Sequence, residues 1–437
     1  MESSAVFIGP FIHSERFERV TVVDDGIVIV KNGKVVLAEA LRGRDAASLC
    51  SSLGVVAPAV VLRPGQLLLP GFVDAHLHAP QFPNAGLGYD KTLLDWLRTY
   101  TFPLEGRYSD AEFAAKVYDA VVRRCLSAGT TLACYFATIH TESSLQLARC
   151  AVRAGQRALI GKVNMNINSD TAYNESTQSS FDDTHSFVDG VQQLQSSLVQ
   201  AVVTPRFALS CDMDLMKKLA DLARSRNLHV QTHISENMGE IEAVRATYPQ
   251  CANYAEVYDR AGLLTNKTIL AHGVHLLEEE LRLLAERGTA VAHCPASNTC
   301  LRSGLCDVRR LLEAGITVAL GTDVSGGPTP CILDAIRATL DTSIHVSFSK
   351  KNYEPLNYQE VFYLATLGGA KALAMDDVVG NFQVGKEFDA LLVSAPDPDL
   401  HFESLDSLQL LQKFLYCGSE RNIKEVYVQG RPVKQAF

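Results

Sequence analysis

Leu69-Pro70-Gly71-Phe72-Val73-Asp74-Ala75-His76-Leu77-His78 is the stretch that decides the fold. It is a β-rich apolar run that ends in two imidazoles. On a strand, residues at i and i+2 point to one face, so His76 and His78 can bind one ion together. Twelve histidines in 437 residues give about a third of one such pair by chance, so the spacing alone decides little. The position decides more. The pair closes a strand, and barrel enzymes carry their reactive groups where strands end.

Outward from that stretch, β-branched apolar runs recur: Leu67–His76, Thr130–Tyr135, Ala158–Met165, Val202–Thr204, His229–Thr232, Thr268–Ala271, Ala290–Ala292 and Thr317–Leu320. Helix-like segments lie between them, such as Asp110–Ser127, Asp214–Arg226 and Glu278–Glu286. Eight alternations predict an α/β fold, a (β/α)8 TIM-type barrel with right-handed crossovers. The two chain ends read differently. Asn32-Gly33 sits between Ile27–Val30 and Val35–Leu37, a strong hairpin signal. Ala390–Val393 reads as a strand, and Val426–Val433 as strand, turn and strand. Neither end can bury a good sheet alone, so both are expected to pair into one small β-sandwich module. The expected division is 1–66 and 381–437 for the module and 67–380 for the barrel. Pro80–Leu104 and Asn166–Ser186 are the most loop-like interior segments, and both follow barrel strands.

Composition bounds the partners. Hydrophobic residues are 47% of the chain and charged residues 20%, so a large core is available. A net charge of -9 argues against nucleic acid or an anionic membrane as the main partner. No apolar run approaches the length of a membrane span. The first residues do not read as a secretory signal. Eleven cysteines, an odd number without regular spacing, point to free thiols and a cytoplasmic setting.

The ends of the runs carry the chemistry. His76 and His78 follow the first, Arg206 the fourth, His233 the fifth, His272 the sixth and Asp323 the eighth. His76, His78, His233 and Asp323 make an acceptable zinc ligand set. Iron tolerates similar ligands. Glu236, three residues after His233, is expected to turn inward as general acid and base beside an activated water. An acidic residue opening a helix is the ordinary alternative. With Asp323 as the fourth ligand, His272 is assigned to orient the water or the substrate. His293, in Ala292-His293-Cys294-Pro295, fits a lining or a structural role equally. Trp96, the only tryptophan, fits a pocket roof or a core-facing helix equally. No metalloprotease helix, phosphate loop, serine elbow or cytidine-deaminase zinc signature is present.

These residues resemble the amidohydrolase superfamily. The opening Leu69–His78 looks like its signature. The closing Gly385-Lys386-Glu387-Phe388-Asp389-Ala390-Leu391-Leu392-Val393 resembles its return into the β-module, with Phe388 where a small residue is usual. Within the superfamily the chain is most similar to the guanine-deaminating family. The motifs are Ala79-Pro80-Gln81-Phe82-Pro83, Thr204-Pro205-Arg206-Phe207, Gln231-Thr232-His233-Ile234-Ser235-Glu236-Asn237 and His293-Cys294-Pro295-Ala296-Ser297-Asn298. One departure is Asn166, where an acidic residue is usual.

The resemblance implies one zinc per chain on His76, His78, His233 and Asp323, with no second metal, because Thr204-Pro205-Arg206 lacks the bridging lysine of two-metal relatives. It implies that Gln81, Arg206, Phe207 and His272 contact guanine, with the metal ligands His233 and Asp323 beside them. Glu236, His272 and Asp323 act on the water. It implies hydrolysis of guanine to xanthine and ammonia in purine catabolism or salvage, and a homodimer. The rivals are deamination of another purine, a pterin, cytosine or a triazine, and a barrel scaffold without catalysis.

Overall fold

The structure is a computed structural model that describes residues 4–167, 173–395 and 405–434. The first apolar run is two strands, not one. Gln66–Pro70 belongs to an outer sheet, and Phe72–His78 is the first barrel strand. Gly71 is the crossing point. Its N–H donates to Asp389 O of the outer sheet at 3.0 Å, and the next N–H, of Phe72, donates to Gly129 O of the barrel at 3.0 Å. A Cβ at Gly71 would lie 2.1 Å from Thr131 Oγ1, so only glycine fits between the two layers.

The other barrel strands are Thr130–Phe136, Arg157–Gly161, Val199–Pro205, His229–Ile234, Thr268–His272, Ala290–His293 and Val318–Leu320. Each lies parallel to the next, in chain order. The eighth meets the first through polar contacts just past its end. Asp323 N–H donates to His76 O at 2.9 Å, and His78 N–H donates to Val324 O at 3.0 Å. Thr322 also donates its N–H and its hydroxyl to the buried Asp74 carboxyl, at 3.0 and 2.5 Å. The expected barrel of eight strands is therefore present.

Strands covered on both faces are continuous apolar runs, and all seven residues of Phe72–His78 are buried. The interior floor is apolar: Val73, Ala75, Leu132, Leu159, Val202 and Ile269 pack together there. Strict alternation from Val73 and Ala75 would send His76 and His78 outward. Instead the register slips by one residue, Asp74 pairing with Ala133 but Leu77 with Tyr135. That bulge aims both imidazoles into the barrel.

Helices cover the outside. Asp110 caps Ala111–Ser127 by accepting from Glu112 and Phe113 N–H, and the helix buries Ala114, Val117, Tyr118, Val121 and Cys125 along one stripe. Met213–Arg226 and Glu278–Arg287 match the other expected helices.

The two loop-like segments differ from expectation. Ala79–Asn84, Leu93–Trp96, Leu97–Thr101 and Phe102–Gly106 are short helical turns, started by Pro80, the Thr92 cap and Pro103. In the second segment, Thr177–Gln193 is a full helix capped by Ser176. Part of its buried stripe is Ser180 and Thr184, so its apolar periodicity is weak in the sequence. Residues 168–172 of that segment lie outside the described residues.

Both chain ends build two outer sheets. One holds four strands, 34–40, 26–31, 5–8 and 59–61; the other holds six, 431–432, 423–428, 390–394, 66–70, 11–16 and 19–23. The expected hairpin turns at Asn32 and Gly33, both with positive φ, 51° and 76°. Phe7, Phe11, Val28, Leu68, Phe388 and Tyr427 form the apolar layer shared by the sheets. Phe388 stacks on Phe7 at 5.0 Å, which is the use of the unusual large residue there. Arg157 ties this module to the barrel. Its buried guanidinium contacts Asp389 at 3.0 and 3.1 Å and Glu387 at 2.6 Å.

Candidate metal centre and substrate pocket

The structure brings every residue singled out for the site to one end of the barrel. His76 and His78 end the first strand, and His233 lies in the fifth. Arg206 and Phe207 follow the fourth, Glu236 follows the fifth, His272 ends the sixth, and Asp323 follows the eighth. Gln81 comes from the turn directly after the first strand. His272 and Asp323 hold φ of 77° and 46°, a costly conformation for non-glycine residues that aims side chains at the axis.

Ligand atoms of His76, His233, His272 and Asp323 lie within 4.8 Å of one another. His78 joins them: its Nε2 is 3.2 Å from His233 Nε2 and 3.3 Å from Asp323 Oδ1. His76 Nε2 is 3.1 Å from Asp323 Oδ1. The donor set fits a divalent ion. His233 Nδ1–H is spent on the Arg206 carbonyl at 2.6 Å, which leaves its Nε2 lone pair facing the cluster. Burial holds His78 and His233 well below the usual imidazole range and lowers His76 too, which favours the neutral rings that a metal ion would need. Burial opposes the charge of Asp323, but the His76 hydrogen bond and the surrounding imidazoles keep its carboxyl far below the ordinary range.

His272 behaves differently. Burial lowers its pKa, yet the Glu236 and Asp323 carboxylates outweigh burial and raise it. Its Nδ1 donates to Asn298 Oδ1 at 2.9 Å, and its Nε2 lies 3.4 Å from Glu236 Oε2 and 3.8 Å from Asp323 Oδ2. Burial pushes the Glu236 carboxyl up to about 7. A group that titrates there can both take and return a proton near neutrality. The Ser303 hydroxyl donates to Glu236 Oε1 at 3.3 Å and holds that carboxylate in place.

A pocket opens over the cluster. Arg206, Gln81 and Phe207 form one wall, and Leu93, Trp96, Leu97 and Leu301 line it as well. Arg206 is 2% exposed and fully charged, and it makes a two-pronged ion pair with Glu105 at 2.7 and 3.1 Å. Phe102 lies under its guanidinium, 5.1 Å away. Trp96 has both roles that the sequence left open. It lines the pocket and packs in an apolar cluster with Leu93 and Phe207, its Nε1–H donating to Leu87 O at 2.9 Å.

His293 does not line the pocket. It is fully buried, burial lowers it to about 3, and neither ring nitrogen has a partner among the described residues. Asn166 braces the outside of the site, donating to Thr177 Oγ1 at 2.8 Å and accepting from Asp212 N–H at 3.0 Å.

Sequence reasoning missed Glu105, Asn298, Ser303 and Asp74. Asn298 lay inside a quoted motif, with no signal for its role. Glu105 lies one residue past the loop-like segment Pro80–Leu104 and before the expected helix at Asp110, in a stretch with no motif.

Comparison with known proteins agrees with this geometry. The family model described as "Amidohydrolase family" matches residues 67–433. Guanine deaminase of Pongo abelii is 46% identical over 440 residues, covering 98% of this chain and 96% of that one. Guanine deaminase of Homo sapiens is also 46% identical, with the same coverage. The crystal structure of guanine deaminase from C. acetobutylicum with guanine bound in its active site superposes with a TM-score of 0.91 at 34% identity, covering 98% of this chain and 99% of that one. The chain belongs to the amidohydrolase family, in its guanine deaminase branch.

Proposed function

We propose that this chain hydrolyses guanine to xanthine and ammonia, using one zinc ion held by His76, His78, His233 and Asp323. One observation carries the reading: a His–Asp ligand cluster and a wall of hydrogen-bond donors, Arg206 and Gln81, face one pocket. The likeness to guanine deaminases over nearly the whole chain supports the substrate.

When bound, zinc lowers the pKa of a coordinated water toward about 7, so that it can attack at neutral pH. The chain's own residues do the rest. Glu236 takes the water proton, passes it to ring N3 and helps the C2 amine leave as ammonia. Asp323 and His272 orient the water, the imidazole by facing both carboxylates. His272 belongs to the same tight group as the ligands. We assign it to the water because its Nε2 stands between two carboxylates, 3.4 Å from the proton carrier Glu236 and 3.8 Å from Asp323, whereas that of His78 meets only Asp323 and the His233 ring. Arg206 and Gln81 offer donors to O6 and the ring nitrogens, and Phe207 packs on the base. A purine with an amino group at C6 would meet donors with a donor, a mismatch that can cost about 10⁴-fold.

The same proposal includes a homodimer working in the cytoplasm in purine catabolism or salvage. It also divides the chain into a barrel, 67–380, and a module, 1–66 with 381–437. Ammonia release from guanine, adenine, cytosine and a pterin, with metal measured on the same sample, tests the reading. Guanine-selective release at about one zinc per chain is expected. No release from guanine by metal-loaded protein would overturn it.

A further inference from the structure

We infer that Glu105 is a positioning residue that sets substrate selectivity, by fixing which hydrogen-bonding groups Arg206 and Gln81 present to the purine. The inference rests on the proposed guanine reading and goes one layer behind it.

Glu105 sits on the short helix Phe102–Gly106 and is wholly buried. A carboxylate with no water around it is costly unless its lone pairs are filled. Here they are filled by the substrate wall itself. Arg206 Nη1 and Nη2 donate to it at 2.7 and 3.1 Å, and Gln81 Nε2 donates at 3.0 Å. The Tyr173 hydroxyl is hydrogen-bonded to it as well. Among the described residues no hydrogen bond or ion pair joins Glu105 to the ligand cluster, so it acts on the substrate through Arg206 and Gln81.

The consequence follows from what each group can do. An ionised carboxylate only accepts, so the Gln81 amide must turn its NH2 toward Glu105. That fixes the amide. Its oxygen faces Ser325 Oγ at 3.5 Å, and its second N–H remains for the substrate. Arg206 has five N–H donors and no acceptor, and Glu105 occupies two of them. The wall is therefore made of donors alone. It matches an acceptor at purine C6, such as O6 of guanine, and opposes an amino group there. Without the carboxylate, Gln81 can turn over and offer its oxygen, and the wall, with only Arg206 still donor-only, tells the two apart less well.

The test compares guanine with 2,6-diaminopurine, which carries the same amino group at C2 but an amino group in place of O6. In both, water enters at C2 and ammonia leaves. Values of kcat and KM are measured for both substrates in the full-length, metal-loaded protein and in Glu105→Gln, with metal content alongside. The unaltered protein should prefer guanine by about 10³-fold or more in kcat/KM. In Glu105→Gln, guanine kcat/KM should fall by about 10²-fold, chiefly through KM, and the preference should narrow by at least about tenfold at unchanged metal content. Glu105→Asp keeps the charge but cannot span both partners; it should narrow the preference as well, and it serves if the amide variant does not fold. A merely structural role would lower both substrates by the same factor. Equal losses in either variant would overturn the inference while leaving the proposed function intact. Absence of guanine turnover in the unaltered protein would overturn both.

Discussion

Replacing Glu236 by Gln should make the protein slower and, without metal, more stable. The amide has the shape of the carboxylate and can still accept from Ser303. It cannot take a proton from water or return it. Positioned proton transfer contributes about 10²–10⁴-fold, so kcat should fall by about that factor, or about 3–5 kcal/mol in the barrier. The stability change has the opposite sign. Burial raises the Glu236 carboxyl from its ordinary value near 4.5 to about 7 in the folded chain. The folded state thus binds this proton more tightly than the unfolded state. Its contribution to stability is greatest below the unfolded pKa and declines as pH rises through the window from about 4.5 to about 7. At about 1.4 kcal/mol per pH unit, that is about 3 kcal/mol of destabilisation at pH 8 which a neutral amide does not suffer. The assay pairs steady-state kinetics with denaturant unfolding of the chelated protein at pH 5 and pH 8. The variant should gain stability at pH 8 relative to the unaltered chain and much less at pH 5. A kcat within tenfold of the original, or a stability difference independent of pH, would refute the reasoning.

Three further outcomes follow from other contacts. Activity of the loaded enzyme should fall about tenfold per pH unit on the acid side, with a midpoint at or below 7, because a dication beside Glu236 favours its charged form; Glu236→Gln should lack that limb in a pH–rate profile. Arg157→Ala would leave the buried Asp389 charge without its partner, so thermal or urea unfolding should register a loss of about 3–5 kcal/mol while metal content per folded chain is unchanged. Trp96 lines the pocket, so its fluorescence should change on saturation with xanthine; an unchanged spectrum in protein shown to bind xanthine by calorimetry would remove it from the pocket wall.

What the sequence revealed here depends on how local the physical cause is. Barrel strands buried on both faces must be apolar throughout, and eight such runs are legible as runs. Residues at their ends are legible as candidates, because the strand places them. The bulge before His76 is not, since it depends on pairing with Ala133 and Tyr135. The break at Gly71 is hidden for a related reason: the run stays apolar while it passes from one sheet to another. The helix Thr177–Gln193 is hidden because part of its buried stripe is hydroxyl rather than hydrocarbon.

The substrate wall takes this argument furthest. Arg206 and Gln81 can be picked out as donors from strand ends and motif, yet a guanidinium and an amide can face many ways. Their direction comes from Glu105, which lies 101 residues before Arg206 and 24 after Gln81. No periodicity marks it, because a single acid on a one-turn helix has no pattern to belong to. It is nonetheless the only acceptor-only group of the three, since an ionised carboxylate can only accept, and so it decides which way the ambivalent Gln81 amide turns. The least legible residue of the wall is thus the one that constrains the others, and selectivity for an oxo group at C6 should be more sensitive to Glu105 than to either residue's surroundings on the solvent side.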